Sequence, residues 1–464
     1  MTLSFARFLE ASGGRFVADA ATLGAPFRPC TDSRAIAGGE TFVCLRGPNF
    51  DGHTFIASAL AAGASAIVID ADAAVPSAIS VPVVRVADTK SAYLAGAAAA
   101  RAAFRGQVIA ITGSTGKTTT KEFAAQIIGM RRRTISTPLN ENNELGVAKL
   151  CYRLADDVDV AVVEFGARHP GEIAELVELA KPDIGILTNI GEAHLEFFQD
   201  QAELARTKFA LFSKGARAVC NAADSWTRML AAQSQRDAST LWVRFVGDPT
   251  MSGIMLEAGT PRDGTVAVTF GASHAFATWQ LPGEHNLRDA LLAAGAAILA
   301  GLSFEESIQG FGALRLPPGR FESHATPHGA TIVYDAYNAS PTSMSSALQT
   351  FAQLPATRRI AVLGSMAELG ASAPALHESI GKTAASFGID ELHCGGPFAA
   401  ELAAGARAAG MSAAAVTTFA SNDAIASLLR RTLRAGDYVL LKGSRVEKME
   451  EILQGVLAPG ILAS

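Results

Sequence analysis

The sequence has few cysteines, and they do not form a pattern with a known structural use. The five cysteines are spread over 464 residues, at Cys30, Cys44, Cys151, Cys220 and Cys394, with no C-x-x-C pair. Disulfide-stapled domains and structural zinc sites need dense or paired cysteines, so this spacing argues against both. We therefore expect a reduced, cytoplasmic protein.

Long apolar runs are absent too. The most apolar stretches, residues 94–103 and 291–302, are shorter than the about 20 residues that a membrane-spanning helix requires. The N-terminus shows no succession of basic, apolar and small residues of the kind that directs secretion. We expect no membrane insertion, and both stretches are predicted to form core helices.

Basic residues are not concentrated in any one segment. The formal net charge is −5, and the brief run Arg131-Arg132-Arg133 is predicted to be a solvated helix end. Nucleic acid is therefore not an expected partner, and we expect a monomer. With 49% hydrophobic residues in a chain of this length, the composition predicts a globular protein of three domains.

The most informative segment is a glycine-rich turn between an apolar strand and a helix. The run GSTGKTT, residues 113–119, follows the β-branched segment 108–111 and precedes helical spacing over 119–128. In this geometry backbone N–H groups approach phosphate oxygens, Lys117 adds a charge, and Thr118 offers a hydroxyl to Mg²⁺. The turn predicts a phosphate site, although the glycine that usually stands five residues before Gly116 is replaced by Ile111.

The central region, residues 106–314, alternates strands and helices in the pattern of a parallel sheet covered by helices. Short strands between 240 and 281 predict an antiparallel addition, and Gly283-Glu284-His285-Asn286 opens an alanine-rich helix. The strands predicted for the parallel part are 108–112, 134–137, 158–164, 184–190 and 217–220.

The regions on either side are also predicted to be α/β units. Residues 1–105 contain predicted strands at 41–45 and 66–69, and residues 315–464 are predicted to form a doubly wound, Rossmann-like sheet. The segment Leu316-Pro317-Pro318-Gly319-Arg320 is a predicted hinge. The strands predicted for the last unit are 331–335, 359–363, 390–394 and 438–442.

Several polar residues stand after predicted strands, where open α/β sheets bind their ligands. Glu164 ends an apolar strand and is a Mg²⁺ candidate, because a buried carboxylate needs a partner. His194 follows the next strand, with a functional and a structural role equally open. The amide-rich segment 140–146 is either a binding loop or a polar turn. Lys208, on an amphipathic helix, is by itself expected to be solvated.

Two polar segments of the first unit also stand at strand ends. They are Asp32-Ser33-Arg34 and the loop 46–53, which runs RGPNFDGH. Small polar and cationic residues suit a phosphorylated or sugar-bearing ligand. Ordinary turn chemistry explains each segment alone, and from the residues themselves it is the favoured interpretation.

Taken in order along the chain, these segments resemble the Mur ligases, the ATP-dependent amide-bond enzymes of cell-wall precursor synthesis. The resemblance covers almost the whole chain and accounts for the compact glycine-rich turn. It is carried by residues 111–122, by NNELG at 142–146, by TNIGEAHLE at 188–196, by DAYNASPTSM at 335–344 and by KGSR at 442–445.

The resemblance implies a reaction and a division of labour. Within the family it points to the type that joins D-alanyl-D-alanine to UDP-N-acetylmuramoyl-tripeptide through an acyl phosphate, using ATP and Mg²⁺. The first unit would hold the UDP end of the substrate, and the central P-loop-type unit would hold ATP. The last unit would bind the amine substrate and close on ATP.

The resemblance also implies roles for single residues. The implied catalytic residues are Lys117, Glu164, His194 and Lys208, and related ligases carry a carbamylated lysine at the last of these. The implied metal ligands are Thr118, Glu164 and His194. The implied ATP contacts are Gly113, Ser114, Thr115, Gly116, Lys117, Thr118, Thr119, His285, Asn286, Arg320 and Asp335. The implied substrate contacts are Asp32, Ser33, Arg34, Asn142, Asn143, Tyr337 and Asn338.

Departures from the family pattern and rival functions complete the interpretation. Asp289 stands where the family more often has Asn, and the segment 365–370 lacks an acidic residue common at its start. A sister ligase that adds the third amino acid would carry an Asp-Asn-Pro-Arg motif, which is absent. A P-loop kinase or an ATP-driven switch would not need both outer units. A non-catalytic scaffold would not need Lys117, Glu164 and His194 intact.

Overall fold

A computed structural model describes residues 3–18, 23–75, 79–138, 140–192 and 195–457. Within these ranges the chain forms three α/β units, each built on its own sheet, which confirms the predicted fold class. No helix in the same ranges is long and apolar enough to cross a bilayer. His194, a predicted metal ligand, lies outside the described residues.

The first unit contains a five-stranded sheet and a two-stranded ribbon. Its strands are β1 (Arg15–Ala18), β2 (Pro29–Cys30), β3 (Thr41–Val43), β4 (Arg46–Gly47), β5 (Phe50–Asp51), β6 (Ala66–Ile69) and β7 (Val83–Arg85), and its helices are α1 (Phe5–Ser12), α2 (Ile56–Ala61) and α3 (Thr89–Ala103). The sheet order is β1-β7-β6-β3-β2, and β4 pairs with β5. Strand β6 is buried along its whole length because apolar clusters cover both faces of the sheet.

The central unit contains a nine-stranded sheet. Its strands are β8 (Gln107–Thr112), β9 (Thr134–Ser136), β10 (Val160–Glu164), β11 (Ile184–Leu187), β12 (Arg217–Asn221), β13 (Leu241–Phe245), β14 (Ile254–Ala258), β15 (Thr265–Phe270) and β16 (Ser273–Thr278). Its helices are α4 (Lys117–Gly129), α5 (Glu144–Cys151), α6 (Glu172–Ala180), α7 (Gln201–Phe209), α8 (Ser225–Gln233), α9 (Glu284–Leu299) and α10 (Phe304–Gln309). The order is β16-β15-β14-β13-β12-β11-β8-β10-β9.

The antiparallel part of this sheet is smaller than the sequence predicts. Strand β13 pairs in parallel with both of its neighbours. Only β15 runs against the rest, because β16 is antiparallel to β15 and so returns to the common direction. The segment 246–253 between β13 and β14 is long enough for the chain to cross back, so that β14 runs parallel to β13. Residues 241–243 were expected in the antiparallel addition, and that expectation is wrong.

Helices α4 and α9 pack together over the centre of this sheet. Helix α9 is buried over nearly its whole length, and its alanines present little bulk, so the two helix backbones approach closely. Helix α4 follows β8 directly through the glycine-rich turn. This arrangement brings the start of α9 beside the start of α4.

The last unit contains a six-stranded, mostly parallel sheet. Its strands are β17 (Glu322–Ala325), β18 (Thr331–Tyr334), β19 (Arg358–Leu363), β20 (Glu391–Cys394), β21 (Val416–Thr418) and β22 (Asp437–Lys442), and its helices are α11 (Pro341–Ala352), α12 (Ala373–Ser386), α13 (Ala399–Ala408), α14 (Asn422–Thr432) and α15 (Met449–Leu457). The order is β17-β18-β22-β19-β20-β21, and only β17 is antiparallel to its neighbour.

Candidate active site

The carboxyl ends of the central strands open into a cavity of about 1980 Å³ that all three units line. Helix α3 contributes from the first unit, the glycine-rich turn and the start of α9 from the central unit, and residues 334–346 and 442–446 from the last. Ligands of open α/β sheets bind at this edge. The cavity is therefore the candidate active site.

Two glycines of the turn are required by their neighbours. Gly113 has φ of 153°, and a Cβ there would overlap the Thr188 hydroxyl. Gly116 has φ of 78°, and a Cβ there would lie 2.5 Å from a carboxyl oxygen of Asp289. The compact spacing of the turn thus follows from the close approach of β11 and α9.

Two N–H groups of the turn are already bonded to the loop that follows β11. Ser114 N donates to the Asn189 carbonyl at 2.9 Å, and Thr115 N donates to Asn189 Oδ1 at 3.1 Å. The first N–H groups of a helix have no partner inside that helix, and Gly116, which caps α4, has no side chain that could accept from them. The N–H groups of residues 116–119 are therefore the ones that this arrangement leaves for an anion, and the ATP contacts of Ser114 and Thr115 stay predictions.

Two lysines approach the turn from opposite sides. Lys117 Nζ donates to the carbonyls of Gly113 and Ser114 at 2.9 and 3.3 Å, and Lys208 Nζ donates to Gly113 at 3.1 Å. Burial lowers the pKa of Lys117, and it lowers the pKa of Lys208 well below its usual value, helped by the charge of Lys117. Lys208 is only 1% exposed, so the expectation that it is solvated is wrong.

Glu164 joins the turn to the amide-rich segment. Strand β10 pairs with β8 so that Glu164 stands opposite Ile111, at the foot of the turn. Its carboxylate accepts from Thr118 Oγ1 and from Asn142 Nδ2, each at 2.9 Å, and it is 2% exposed. A hydroxyl and a carboxylate oxygen are the donors that Mg²⁺ prefers beside phosphate oxygens, so Thr118 and Glu164 fit a magnesium ion.

The neighbouring residue Asn143 has a clear local role. Its side chain caps α5 by accepting from Gly146 N at 3.0 Å, and both Asn142 and Asn143 line the cavity. The segment 140–146 is thus partly a helix cap and partly cavity wall, which joins the two interpretations of its sequence.

The first two turns of α9 place several polar side chains at the cavity. His285, Asn286 and Asp289 all line it, with helical spacing that puts them on one face. Burial lowers the pKa of His285 to about 4 and raises the pKa of Asp289 to about 8. His285 Nδ1 lies 3.3 Å from Thr350 Oγ1, which joins α9 to α11 of the last unit.

The hinge and the last unit supply cations and a carboxylate. The Arg320 guanidinium lies 4.3 Å from the centre of the Tyr337 ring. Lys442 Nζ donates to Asp335 Oδ2 at 2.7 Å and to the Asn338 carbonyl at 3.4 Å, which fixes the loop after β18. All five residues line the cavity, and Lys442 was named in a sequence motif without a role.

The predicted site residues of the first unit lie apart from this cavity. Asp32 and Arg34 form an exposed pair at 2.7 Å, and neither they nor Ser33 line the cavity. Arg34 lowers the pKa of Asp32 to about 2. The structure therefore brings together the central and last groups of predicted site residues but not this group.

The charged side chains of the loop 46–53 are paired with nearby carboxylates. Arg46 lies within 3.3 Å of carboxyl oxygens of Asp51, Asp70 and Asp72, and His53 Nδ1 lies 2.6 Å from Asp51. These contacts support the interpretation of the loop as turn chemistry, since its charged side chains are paired with one another and with Asp70 and Asp72.

The fold and the site together are those of a phosphate-loop α/β enzyme built from three units. Sequence models match the chain for the Mur ligase family catalytic domain at residues 30–106, the Mur ligase middle domain at 111–297 and the Mur ligase glutamate ligase domain at 319–445. The chain belongs to the Mur ligase family.

Individual relatives are similar to this chain over nearly its full length. The UDP-N-acetylmuramoyl-tripeptide--D-alanyl-D-alanine ligase of Synechocystis is 33% identical, with 92% of this chain and 91% of the relative covered. A crystal structure of MurF from Acinetobacter baumannii has a TM-score of 0.85 at 27% identity and 99% coverage of both chains. MurF ligase from Thermotoga maritima, solved in complex with ADP, has a TM-score of 0.79 at 26% identity, covering 93% of this chain and 97% of that one.

Proposed function

We propose that this chain is an ATP-dependent ligase that joins D-alanyl-D-alanine to UDP-N-acetylmuramoyl-tripeptide in the synthesis of peptidoglycan precursors. The observation that carries the proposal is the shared cavity, where a phosphate turn meets a Thr118–Glu164 oxygen pair and residues of the last unit. The near-full-length similarity to ligases of that name supports the same reaction.

The central unit would activate the tripeptide. The start of α4 and Lys117 would bind the ATP phosphates, and Thr118 and Glu164, with His194, would hold Mg²⁺. Bound magnesium neutralises charge on the transferring phosphoryl group. The substrate carboxylate attacks the γ-phosphorus, ADP leaves, and the acyl phosphate remains beside Lys117.

The last unit would bring the amine. Arg320 and Asp335 would contact ATP, and Tyr337 and Asn338 would contact the dipeptide, whose amine attacks the activated carbonyl as phosphate leaves. Contacts between the central and last units would help to exclude water from this cavity during the reaction. Among them are Thr342 Oγ1 donating to Glu192 at 3.0 Å and Arg168 paired with Glu368 at 3.2 Å.

The first unit would hold the UDP end. Asp32, Ser33 and Arg34 remain the proposed contacts, although they do not line the cavity. The three units would thus divide the work at about residues 105 and 315.

We also propose that Lys208 is carbamylated in the working enzyme. Burial favours its neutral amine, which is the form that adds to CO₂ with loss of a proton. Its place beside the Gly113 carbonyl and Lys117 would then put a carboxylate near the magnesium ligands. Intact-mass measurement with and without bicarbonate checks this directly.

The function is tested by supplying purified protein with ATP, Mg²⁺, UDP-N-acetylmuramoyl-tripeptide and D-alanyl-D-alanine, and by following phosphate and the amide product. We expect phosphate release that requires both carboxylate and dipeptide. Release without the dipeptide would contradict the ligase assignment. A parallel reaction with the dipeptide-stem substrate and a free diamino acid tests the sister ligase activity, and we expect no product.

A further inference from the structure

The glycine-rich turn is held by hydrogen bonds to the loop 188–191, and we call this set of contacts the clasp. Asn189, the second residue after β11, accepts from Thr115 N and from Thr115 Oγ1, both at 3.1 Å. Its Nδ2 donates to Thr115 O at 3.2 Å and to Thr115 Oγ1 at 2.8 Å. One side-chain amide thus binds both backbone groups and the hydroxyl of a single residue.

The residues beside Asn189 extend the clasp. Thr188 Oγ1 donates to Thr115 O at 2.6 Å. Ser114 Oγ accepts from Gly191 N at 2.9 Å and donates to Gly191 O at 3.2 Å. Ser114 N also donates to the Asn189 carbonyl. Residues 114 and 115 are therefore both hydrogen-bonded to the loop 188–191 through backbone and side-chain groups.

Consequently, the clasp determines which N–H groups point at the cavity. A glycine-rich turn can adopt many backbone conformations, because glycine visits both signs of φ at little cost. With Ser114 N and Thr115 N bound to Asn189, the groups of residues 116–119 are the ones left to meet phosphate. Fixing them in advance removes an ordering cost that ATP binding would otherwise carry.

We propose that Asn189 is a positioning residue for nucleotide binding, acting through Thr115 to hold the phosphate turn in its binding conformation. The proposal deepens the proposed function and rests on it only in that ATP is the nucleotide bound. It assigns a role to a side chain whose hydrogen bonds run to Thr115.

The experiment measures equilibrium binding of ATP, ADP and AMP with Mg²⁺ to wild type and to Asn189→Ala, in the absence of the other substrates. We expect affinity for ATP and ADP to fall about tenfold, because their β-phosphate meets the start of α4, and affinity for AMP to change less than about twofold. Equal losses for all three nucleotides, or no loss, would overturn the proposal.

The matched control is Asn422→Ala. Its side-chain amide also holds a backbone, donating to the carbonyls of Glu447 and Lys448 at 3.0 and 3.3 Å, but it does not line the cavity. We expect Tm to fall by a similar amount in both variants. Nucleotide affinity should fall in Asn189→Ala and stay unchanged in Asn422→Ala. If Asn189→Ala does not fold, Asn189→Ser replaces it and the same selective loss is required.

These outcomes separate the inference from the proposed function. Nucleotide binding is measured without turnover, so a protein that fails to make the amide product still reports on Asn189. Normal ligation by Asn189→Ala with unchanged nucleotide affinity would reject the inference and leave the proposed function in place.

Discussion

Two glycine-containing polar loops follow strands in this protein, and they treat charge in opposite ways. In the first unit, Arg46 and His53 lie among carboxylates within hydrogen-bond or ion-pair distance. In the central unit, the amino groups of Lys117 and Lys208 donate to carbonyl oxygens of a buried turn. The Arg46 cation of the first loop is neutralised by Asp51, Asp70 and Asp72, whereas the half-buried Lys117 of the second loop is bonded to neutral carbonyl oxygens.

This difference shows how a structural loop can be told from a binding loop of similar composition. A buried cation bonded to neutral oxygens is costly unless an anion completes it, so the central turn is suited to phosphate. A cluster that pairs its own charges has little left to offer a ligand. Four variants test the comparison.

The largest effect is expected for Lys117→Ala. Losing the charge at the start of α4 removes stabilisation of the transferring phosphoryl group, so turnover should fall at least about a thousandfold. Tm should hold or rise, because a half-buried ammonium is removed. Steady-state phosphate release and thermal melting measure both. Retained turnover would mean that the turn is misassigned; Lys149→Ala, at an exposed lysine, is the control.

Lys208→Met should separate stability from activity. Burial holds the pKa of this lysine well below its unfolded value, so the folded state gains stability as pH rises through the folded pKa toward 10.5. At pH 7 the variant should therefore be more stable, by about 1 kcal/mol or more, while turnover falls about a hundredfold. Urea unfolding and phosphate release test this. Lys214→Met, at an exposed lysine, should change neither.

Asp289→Asn tests the acidic side of the same cavity. Burial raises the pKa of this carboxyl from 3.8 to about 8, so its folded form keeps a proton that the unfolded form loses. Stability is fully present below about pH 4 and declines as pH rises toward 8. Over this pH range the free energy of unfolding of the asparagine variant should increasingly exceed that of wild type, by about 1 kcal/mol or more at pH 8. Parallel pH curves of unfolding would contradict this, and exposed Asp72→Asn is the control.

The smallest effect on nucleotide binding is expected in the first unit. Asp70 Oδ1 accepts from Thr89 N at 2.6 Å, so Asp70→Ala should cost about 1–3 kcal/mol of stability. Because Arg46, Asp51, Asp70 and Asp72 do not line the cavity, ATP affinity should stay within about twofold. Unfolding and nucleotide titration measure this. Exposed Asp72→Ala should cost less than about 0.5 kcal/mol.

Much of the fold could be predicted from the chain because its strands are short, β-branched and bounded by turn residues. The central and last sheets have the predicted strands within a few residues. Edge strands such as β1, β17 and β21 were missed, since half-exposed segments have no continuous apolar signal. The direction of β13 and β14 was misjudged because pairing direction depends on distant partners.

The site shows the same division. Lys117, Thr118 and Glu164 could be chosen from local pattern, since each stands at the end of a buried strand or in the turn. Asn189 and Lys442 could not be given roles, because their partners Thr115 and Asp335 are far away in sequence. The only signal was their presence in dense motifs.

The sequence by itself determined that this protein has a phosphate turn on a parallel sheet, because glycine, lysine and the flanking periodicities act over a dozen residues. Only the tertiary structure decided which N–H groups of that turn face the cavity and that Lys208 is buried beside it. Those properties arise where β11, α7 and α9 meet the turn, and burial and hydrogen bonding between distant segments exist only once the chain is folded.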